Sequence, residues 1–587
     1  MYPRLLLLLH SHHQQPLLCR CTSTPPSSHE STAELCLALR ENFTRRQDNM
    51  MHFHASPDLH LHIPKTYGLL RALPASSYAP SPCVKQGAAK RTHSQRASCV
   101  AAAPEKLPSH QASLWGDYFL NYQPKPLKRS EKWMTVRADE LKEEVCVLFK
   151  TCNHTMEMIT LCDTVQHLGI DHHFKVQIDV VLRTSSSELC SSSLHEVALR
   201  FRLLRTWSLG ISRYIYVFNK FKNEDGSFRE DITSDPRGLL RSTYNAAYLL
   251  VHGEPSLQEA ISFAWHHLEM MRDSLKSPLA EHVKRALDVP FPRTVKRVET
   301  RYYISEYKHE EGNNPTLLEL AKLDFNLLQH VHLKELQYLT KWTDDFYDYV
   351  GTNYVRDRLV ESYFGACVVY HEKDFTLSRI FFTKVMALMT IIDDTYDTHA
   401  TIEETRQLNA AIQRYYNELL RIFKDADGEA FTDTYHVAYV KKAFQKFSTY
   451  QLQEAEWLHQ NQKPSFENVL NLSAMSIGIS TLCVVLMVGM GDEGEKVDAA
   501  STLESYMVEH RVTSEVGIAR INSLIEAEWK TVNEARFENR ELLPVVKRII
   551  NLINTATIYY ADQKDGYTFG SYLRKNVESL FVKPIPM

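Results

Sequence analysis

The stretch Arg379–Asp397 reads RIFFTKVMALMTIIDDTYD, and its periodicity decides the fold. Phe382, Met386, Met389, Asp393 and Asp397 follow at spacings of 4, 3, 4 and 4, the repeat of one helical face rather than the alternation of a strand. That face is apolar for most of its length and ends in carboxylates. Such a face suits the wall of a deep apolar pocket whose mouth carries hard oxygen ligands. Downstream, Thr401 and Glu404 have the spacing of a capping box, which places the acidic cluster at a helix end beside a loop.

Asp393, Asp394 and Asp397 form an Asp-Asp-x-x-Asp set. On a helix the first and last carboxylates project from one face and the second flanks them, an arrangement suited to Mg²⁺, which prefers oxygen ligands and retains water or phosphate in its shell. Taken alone, the motif reads more often as a solvated acidic helix end. A second copy, Asp344, Asp345 and Asp348, follows Lys341–Trp342 and leads into the loop-like YVGTNYV, so it is expected to be the decoy. Arg356 and Arg358 lie 37 and 35 residues before Asp393. Guanidinium forks bind phosphate bidentately, and beside a metal cluster two of them could clamp a diphosphate. In isolation Arg-Asp-Arg is ordinary surface sequence.

The helical pattern extends outward from this region. In TLLELAKLDFNLLQHVHLKELQYLTKW (316–342), Leu320, Leu323, Leu327 and Val331 form one stripe, with Pro315 and Thr316 as its start. The 19 glycines are few for the length, and neither a Gly-rich phosphate loop nor a fixed-period repeat is present. The charged, Gly/Asn/Pro-containing stretch 305–316 predicts a division into two all-α domains, 113–308 and 314–587. Asn468–Gly491 is 24 residues without a charge, enough to span a bilayer. Its Asn, Ser, Thr and Gly content instead predicts a buried core helix with a break near Ser476–Gly478, and no membrane span.

Across 587 residues, 44% hydrophobic and 24% charged, the composition is that of a folded protein, and a net charge of −4 gives no general affinity for nucleic acid. The first 100 residues differ, with 11 Lys/Arg against 5 Asp/Glu. Residues 1–112 are accordingly expected to be a disordered leader or a transit-like segment. The His52, His54, His60 and His62 cluster in that leader has H-x-H spacing but weak support as a metal site. Eleven cysteines, scattered and odd in number, predict no disulfide framework and a reducing compartment. A cytoplasmic location is expected, with a plastid as the alternative if the leader is a transit peptide.

The chain resembles the plant class I terpene synthases, most closely the sesquiterpene synthase branch. The resemblance is carried by LWGDYFL (114–120), LRFRLLR (199–205), RDRLVESYFGA (356–366), TKVMALMTIIDDTYDTHAT (383–401), KDGYT (564–568) and LFVKPIP (580–586), and it covers nearly the whole body. It implies an N-terminal α-barrel-like domain and a C-terminal class I terpenoid synthase α-bundle holding the active site. The implied reaction is Mg²⁺-dependent (with Mn²⁺ as the alternative ion) ionisation of a prenyl diphosphate, in the first place farnesyl diphosphate, then cyclisation and deprotonation of the carbocation by a monomeric enzyme. By resemblance Asp393, Asp394 and Asp397 hold the metal and Arg356 and Arg358 guide the diphosphate. Tyr560, Asp565 and Tyr567 line the pocket, the latter two acting in late cation or proton steps.

Three positions depart from the family pattern. Gly365 stands where an aromatic residue, commonly Trp, is usual, which predicts a larger pocket and loss of a cation–π contact worth about 0.5–2 kcal/mol. Glu105 and Lys106 occupy the spacing of a paired-arginine motif before Trp115. The second metal motif is incomplete: Asp498 and Thr502 have its first spacing, but position 506 is Tyr. The alternative expectation is therefore a catalytically impaired helical scaffold that keeps the fold without turnover.

Overall fold

The computed structural model describes residues 113–587, apart from 125–128, 153, 186–192, 208–217, 351–353, 412–433, 463, 466–467, 470–471, 473–474, 489–513, 539–542 and 562–563. Helices dominate the described residues, and the one β-type pairing among them is an isolated bridge between Lys222 and Phe228. In the first half the helices of ten residues or more are α1 (Glu131–Thr151), α2 (Thr155–His167), α3 (Lys175–Ser185), α4 (Leu194–Thr206), α5 (Pro255–Met271), α6 (Leu279–Asp288) and α7 (Lys296–Tyr307). The second half contains α8 (Pro315–Val350), α9 (Leu359–Val369), α10 (Thr376–Asp394), α11 (Ile402–Ala411), α12 (Thr434–His459), α13 (Ile479–Val488), α14 (Ser514–Glu538) and α15 (Leu543–Tyr559).

The long α8 begins at Pro315, where proline loses no helical hydrogen bond. Asn314 caps it: its side-chain oxygen accepts from the amides of Thr316 (2.9 Å) and Leu317 (3.2 Å). The expected stripe is present but too narrow. Leu317, Ala321, Phe325, Leu328, Leu336 and Leu339 are buried along with Leu320 and Leu323, because α8 is covered on more than one side. It packs against α1 and α9, and it contributes to both large apolar clusters of the protein. Removing each such Leu from water stabilises by about 1.5–3 kcal/mol.

Arg379, the first residue of the stretch that decides the fold, is fully buried and ties three helices together. Its guanidinium donates to both Glu335 carboxylate oxygens of α8 (2.7 and 2.8 Å) and to the carbonyls of Tyr370 (2.7 Å) and Glu372 (2.6 Å) beyond α9. Tyr363 of α9 donates to the same carboxylate at 2.7 Å. A buried ion pair needs its remaining lone pairs and protons satisfied to offset desolvation, and this one has them.

The chain ends against α8. Asn326 donates to the carbonyl of Ile585 (2.9 Å) and accepts from its amide (2.8 Å), while Gln329 donates to the carbonyl of Leu580 (2.8 Å). The LFVKPIP segment is thereby fixed beneath the helices that carry the site.

The uncharged stretch after Asn468 is interrupted where expected. Gly478 adopts φ +77°, and α13 begins directly after it. Only glycine fits: a Cβ there would collide with Met389 of α10 and stand 3.0 Å from the Phe447 ring. Length and apolarity alone flag a different helical run, Lys373–Asp397, as able to cross a membrane, yet 72% of its most apolar window is buried inside the protein.

Candidate active site

The carboxylate cluster lies at the C-terminal end of α10, and a π-helical turn, Thr395–His399, follows Asp394 directly. On that face Phe382 and Met389 are buried in the packed core and Met386 is half-buried. Asp393 is half-buried, Asp394 is buried, and Asp397 is half-buried on the wider turn. The continuous α-helical register expected from Asp393 to Asp397 is thus interrupted, and turns of this kind recur at functional sites. Tyr354 braces the turn by stacking on His399 at 3.7 Å and sharing a 2.7 Å hydrogen bond with Thr395. The capping box that follows is present: the Thr401 amide donates to Glu404 at 2.8 Å, and the Glu404 amide to the Thr401 hydroxyl at 3.4 Å.

Arg356 is drawn directly onto this cluster. Its Nη2 lies 2.6 Å from Asp393 Oδ2, its Nε lies 2.6 Å from Asp394 Oδ1, and its backbone amide donates to Asp394 Oδ2 at 2.7 Å. Burial opposes the charge on Arg356, but the two carboxylates hold its pKa above the ordinary value. Arg358 makes different contacts. Its guanidinium donates to the Thr568 carbonyl at 2.6 and 3.1 Å and to the Asp357 carbonyl at 2.6 Å, so it fastens the Asp565–Thr568 loop. Arg356 reaches the same loop through Thr568 Oγ1 at 3.0 Å.

The C-terminal residues divide similarly. Asp565 uses one carboxylate oxygen to accept from the amides of Tyr567 (3.0 Å) and Thr568 (2.9 Å), an Asx-type turn that shapes the loop. Tyr567 shares hydrogen bonds with Thr390 of α10 (2.8 Å) and Ser362 of α9 (3.1 Å), and burial pushes its pKa up. Tyr560 is half-buried, with its ring edge-on to Tyr559 at 6.4 Å.

Gly365 does not leave the void its sequence predicts. A Cβ at this position would stand 2.5 Å from the Tyr559 hydroxyl, so the Tyr559 side chain takes that space. The Tyr559 hydroxyl donates to the Glu361 carbonyl at 2.7 Å, and its ring meets Tyr567 edge-on at 5.8 Å. Asp344 and Asp345, from the second acidic copy, are exposed on α8. Glu105, Lys106, Asp498, Thr502 and Tyr506 lie outside the described residues, as does the leader.

Gln451 of α12 is a site residue with no sequence signal. Its amide nitrogen donates to Asp393 Oδ1 (2.9 Å) and to the Ser476 carbonyl (2.7 Å), while its own carbonyl oxygen is buried without a hydrogen-bond partner. Asp393 and Asp394, bridged by Arg356, with the unsatisfied Gln451 amide oxygen beside Asp393, are hard-oxygen donors of the kind a divalent cation takes, while among the described residues the Asp393, Asp394 and Asp397 carboxylates do not close into a ready-made three-ligand group. Elsewhere, a concavity of about 350 Å³ lined by residues including His195, Phe221, Arg229, Asp231 and Asp235 shares no residue with this site.

The family model described as terpene synthase, N-terminal domain, matches residues 114–287, and that described as terpene synthase family, metal binding domain, matches residues 344–499. The chain belongs to the terpene synthase family. It is a terpene synthase, of a class of lyases that act on prenyl diphosphates and whose metal-binding domain implies a divalent metal. Among curated relatives it is 42% identical to tau-cadinol synthase of Zea mays over 540 residues, 82% of this chain and 98% of the relative. It is 41% identical to alpha-copaene synthase of Zea mays, covering 81% of this chain and 99% of the relative. Among solved structures, isoprene synthase from grey poplar (Populus x canescens), in complex with three Mg²⁺ ions and dimethylallyl-S-thiolodiphosphate, superposes with a TM-score of 0.68 at 25% identity, covering 77% of this chain and 97% of that one.

Proposed function

We propose that the protein is a Mg²⁺-dependent sesquiterpene synthase that ionises farnesyl diphosphate and cyclises the resulting carbocation. The observation that carries this reading is the Arg356 guanidinium on Asp393 and Asp394, at the end of an apolar helix face roofed by Tyr567. Sesquiterpene-forming relatives and a neighbour that binds three Mg²⁺ ions with a prenyl thiolodiphosphate support it.

Asp393, Asp394 and Asp397 would hold Mg²⁺, with the unsatisfied Gln451 oxygen adjacent. When bound, the metal supplies Lewis-acid neutralisation of the leaving diphosphate. Arg356 is placed to exchange its carboxylate partners for phosphate oxygens as the cluster takes up cations, and fixed charges of this kind are worth most where water is excluded. Arg358 acts one step removed, holding the Thr568 loop that Arg356 also touches. The faces of Tyr559 and Tyr567 offer a cation electron density that water cannot supply without quenching it. Tyr567, hydrogen-bonded to Thr390 and Ser362, stands where a late proton could be handled.

The purified full-length protein is to be supplied with farnesyl, geranyl or dimethylallyl diphosphate and Mg²⁺, with hydrocarbons collected from the headspace and an organic overlay. The reading expects cyclic fifteen-carbon products, with turnover of the shorter substrates well below that of farnesyl diphosphate. A preference for geranyl diphosphate would reassign the substrate to ten carbons.

A further inference from the structure

Far from the carboxylate cluster in sequence, the 3-10 turn Asp171–His173 that follows α2 places two adjacent imidazoles against α8. His173 Nε2 lies 2.8 Å from Asp324 Oδ1 and His172 Nε2 lies 3.6 Å from the same oxygen. One ligand atom from each of the three residues lies within 4.8 Å of the others. The side chains are 14%, 22% and 11% exposed for His172, His173 and Asp324, so an ion can enter from solvent.

His172 Nδ1 lies 3.1 Å from the Gly169 carbonyl oxygen, which can only accept, so Nδ1 carries the proton. In the neutral ring this leaves the Nε2 lone pair on the side of the Asp324 carboxylate. A metal cation, or a proton on Nε2, would sit between these two lone-pair donors. Metal-binding histidines typically have this outer arrangement, with the second ring nitrogen donating to a backbone carbonyl.

A third imidazole supplies an independent observation. The His371 ring stands edge-on to His172 with 6.0 Å between ring centroids, and its side chain is 4% exposed. Neither of its ring nitrogens has a hydrogen-bond partner. Neighbouring Asp171 is paired with Lys296 at 2.5 Å.

We propose that His172, His173 and Asp324, with His371 beside them, form a binding site for a borderline transition-metal ion of the Zn²⁺ type that staples the turn after α2 to α8. Imidazole nitrogens with a single carboxylate favour such ions over Mg²⁺, which selects oxygen donors. The site shares no residue with the Asp393 cluster, and its existence does not depend on which prenyl diphosphate is used.

The full-length protein, stripped with a chelator and dialysed, is to be titrated with Co²⁺ in excess Mg²⁺ and followed by visible d–d absorption, with bound Zn²⁺ measured by elemental analysis. The leader histidines contribute a background common to every variant. A variant with His52, His54, His60 and His62 replaced by Ser is therefore included, and it is expected to retain the d–d bands. The proposal expects His172→Phe and Asp324→Asn to lose about one equivalent of Zn²⁺, or to bind it about ten- to a hundred-fold more weakly. Asp393→Asn should leave the Co²⁺ spectrum unchanged. If Asp324→Asn fails to fold, His172→Phe and His172→Gln decide the matter, since they leave the His173–Asp324 pair in place. Equal Zn²⁺ binding by wild type and His172→Phe would overturn the proposal and leave a proton-bridged histidine–aspartate pair. Loss of the d–d bands in the leader variant alone would do the same.

Discussion

Arg356 grips Asp394 from two sides, with its backbone amide 2.7 Å from one carboxylate oxygen and its Nε 2.6 Å from the other. The Asp394 side chain is 2% exposed and that of Arg356 is 12% exposed. The residue expected to meet the diphosphate therefore already compensates the charge of a residue expected to meet the metal. Removing Arg356 takes from buried Asp394 the charge that offsets its burial, whereas removing Asp394 leaves Arg356 paired with Asp393.

Arg356→Ala should lower unfolding stability by about 3–5 kcal/mol, because the buried Asp394 carboxylate loses both its guanidinium partner and the charge that offsets its burial. Arg356→Lys keeps a charge but loses the fork and should fall between the two. Denaturant titration of the three proteins checks the order.

The same pairing predicts how ligands stabilise the protein. Mg²⁺ alone competes with Arg356 for the carboxylates and should raise the melting temperature little. Mg²⁺ with inorganic pyrophosphate gives Arg356 a new partner and should raise it by several degrees through mass action. Thermal scans with each ligand separately and together test this, and equal shifts from Mg²⁺ alone and from the pair would contradict it.

Glu361 predicts a pH dependence. Its side chain is 1% exposed, one carboxylate oxygen has no hydrogen-bond partner, and burial pushes its pKa up to about 7, against a smaller opposing influence of Arg358. The folded value lies above the ordinary 4.5, so its contribution to stability is fully present below about pH 4.5 and is lost as pH rises through about 7. The loss is on the order of 3 kcal/mol. Glu361→Gln should remove this component, making the variant less pH-dependent than wild type between those values. Urea midpoints measured across the window check it.

Gly365 and Tyr559 should behave as a pair. Gly365→Ala forces the Tyr559 hydroxyl from its 2.5 Å approach and from its bond to the Glu361 carbonyl, an overpacking cost of about 1–3 kcal/mol. Gly365→Ala combined with Tyr559→Phe should recover part of that loss. Product profiles should shift in the single Gly365 variant, because the Tyr559 ring that meets Tyr567 is displaced.

Much of this architecture could be read from periodicity. The α10 face, the Pro315 start of α8, the capping box at Thr401 and the break at Gly478 are local patterns, and local patterns survive folding. What could not be read depends on contacts between segments distant in the chain. Gln451 meets Asp393 across 58 positions, and Thr568 meets Arg356 across 212. The space beside Gly365 is filled by Tyr559, a residue 194 positions away that no local pattern places there. Nor does spacing encode that the Arg358 guanidinium meets the Thr568 carbonyl while that of Arg356 meets the carboxylates.

The most direct test compares wild type with Asp394→Asn and with Asp344→Asn/Asp345→Asn, each supplied with farnesyl diphosphate and Mg²⁺ while product hydrocarbon is quantified. Fifteen-carbon hydrocarbon should form with wild type and with the α8 double variant, and should fall by roughly a hundred-fold or more with Asp394→Asn. Turnover that survives Asp394→Asn while depending on Asp344 and Asp345, or an absence of product from folded wild type, would contradict the account.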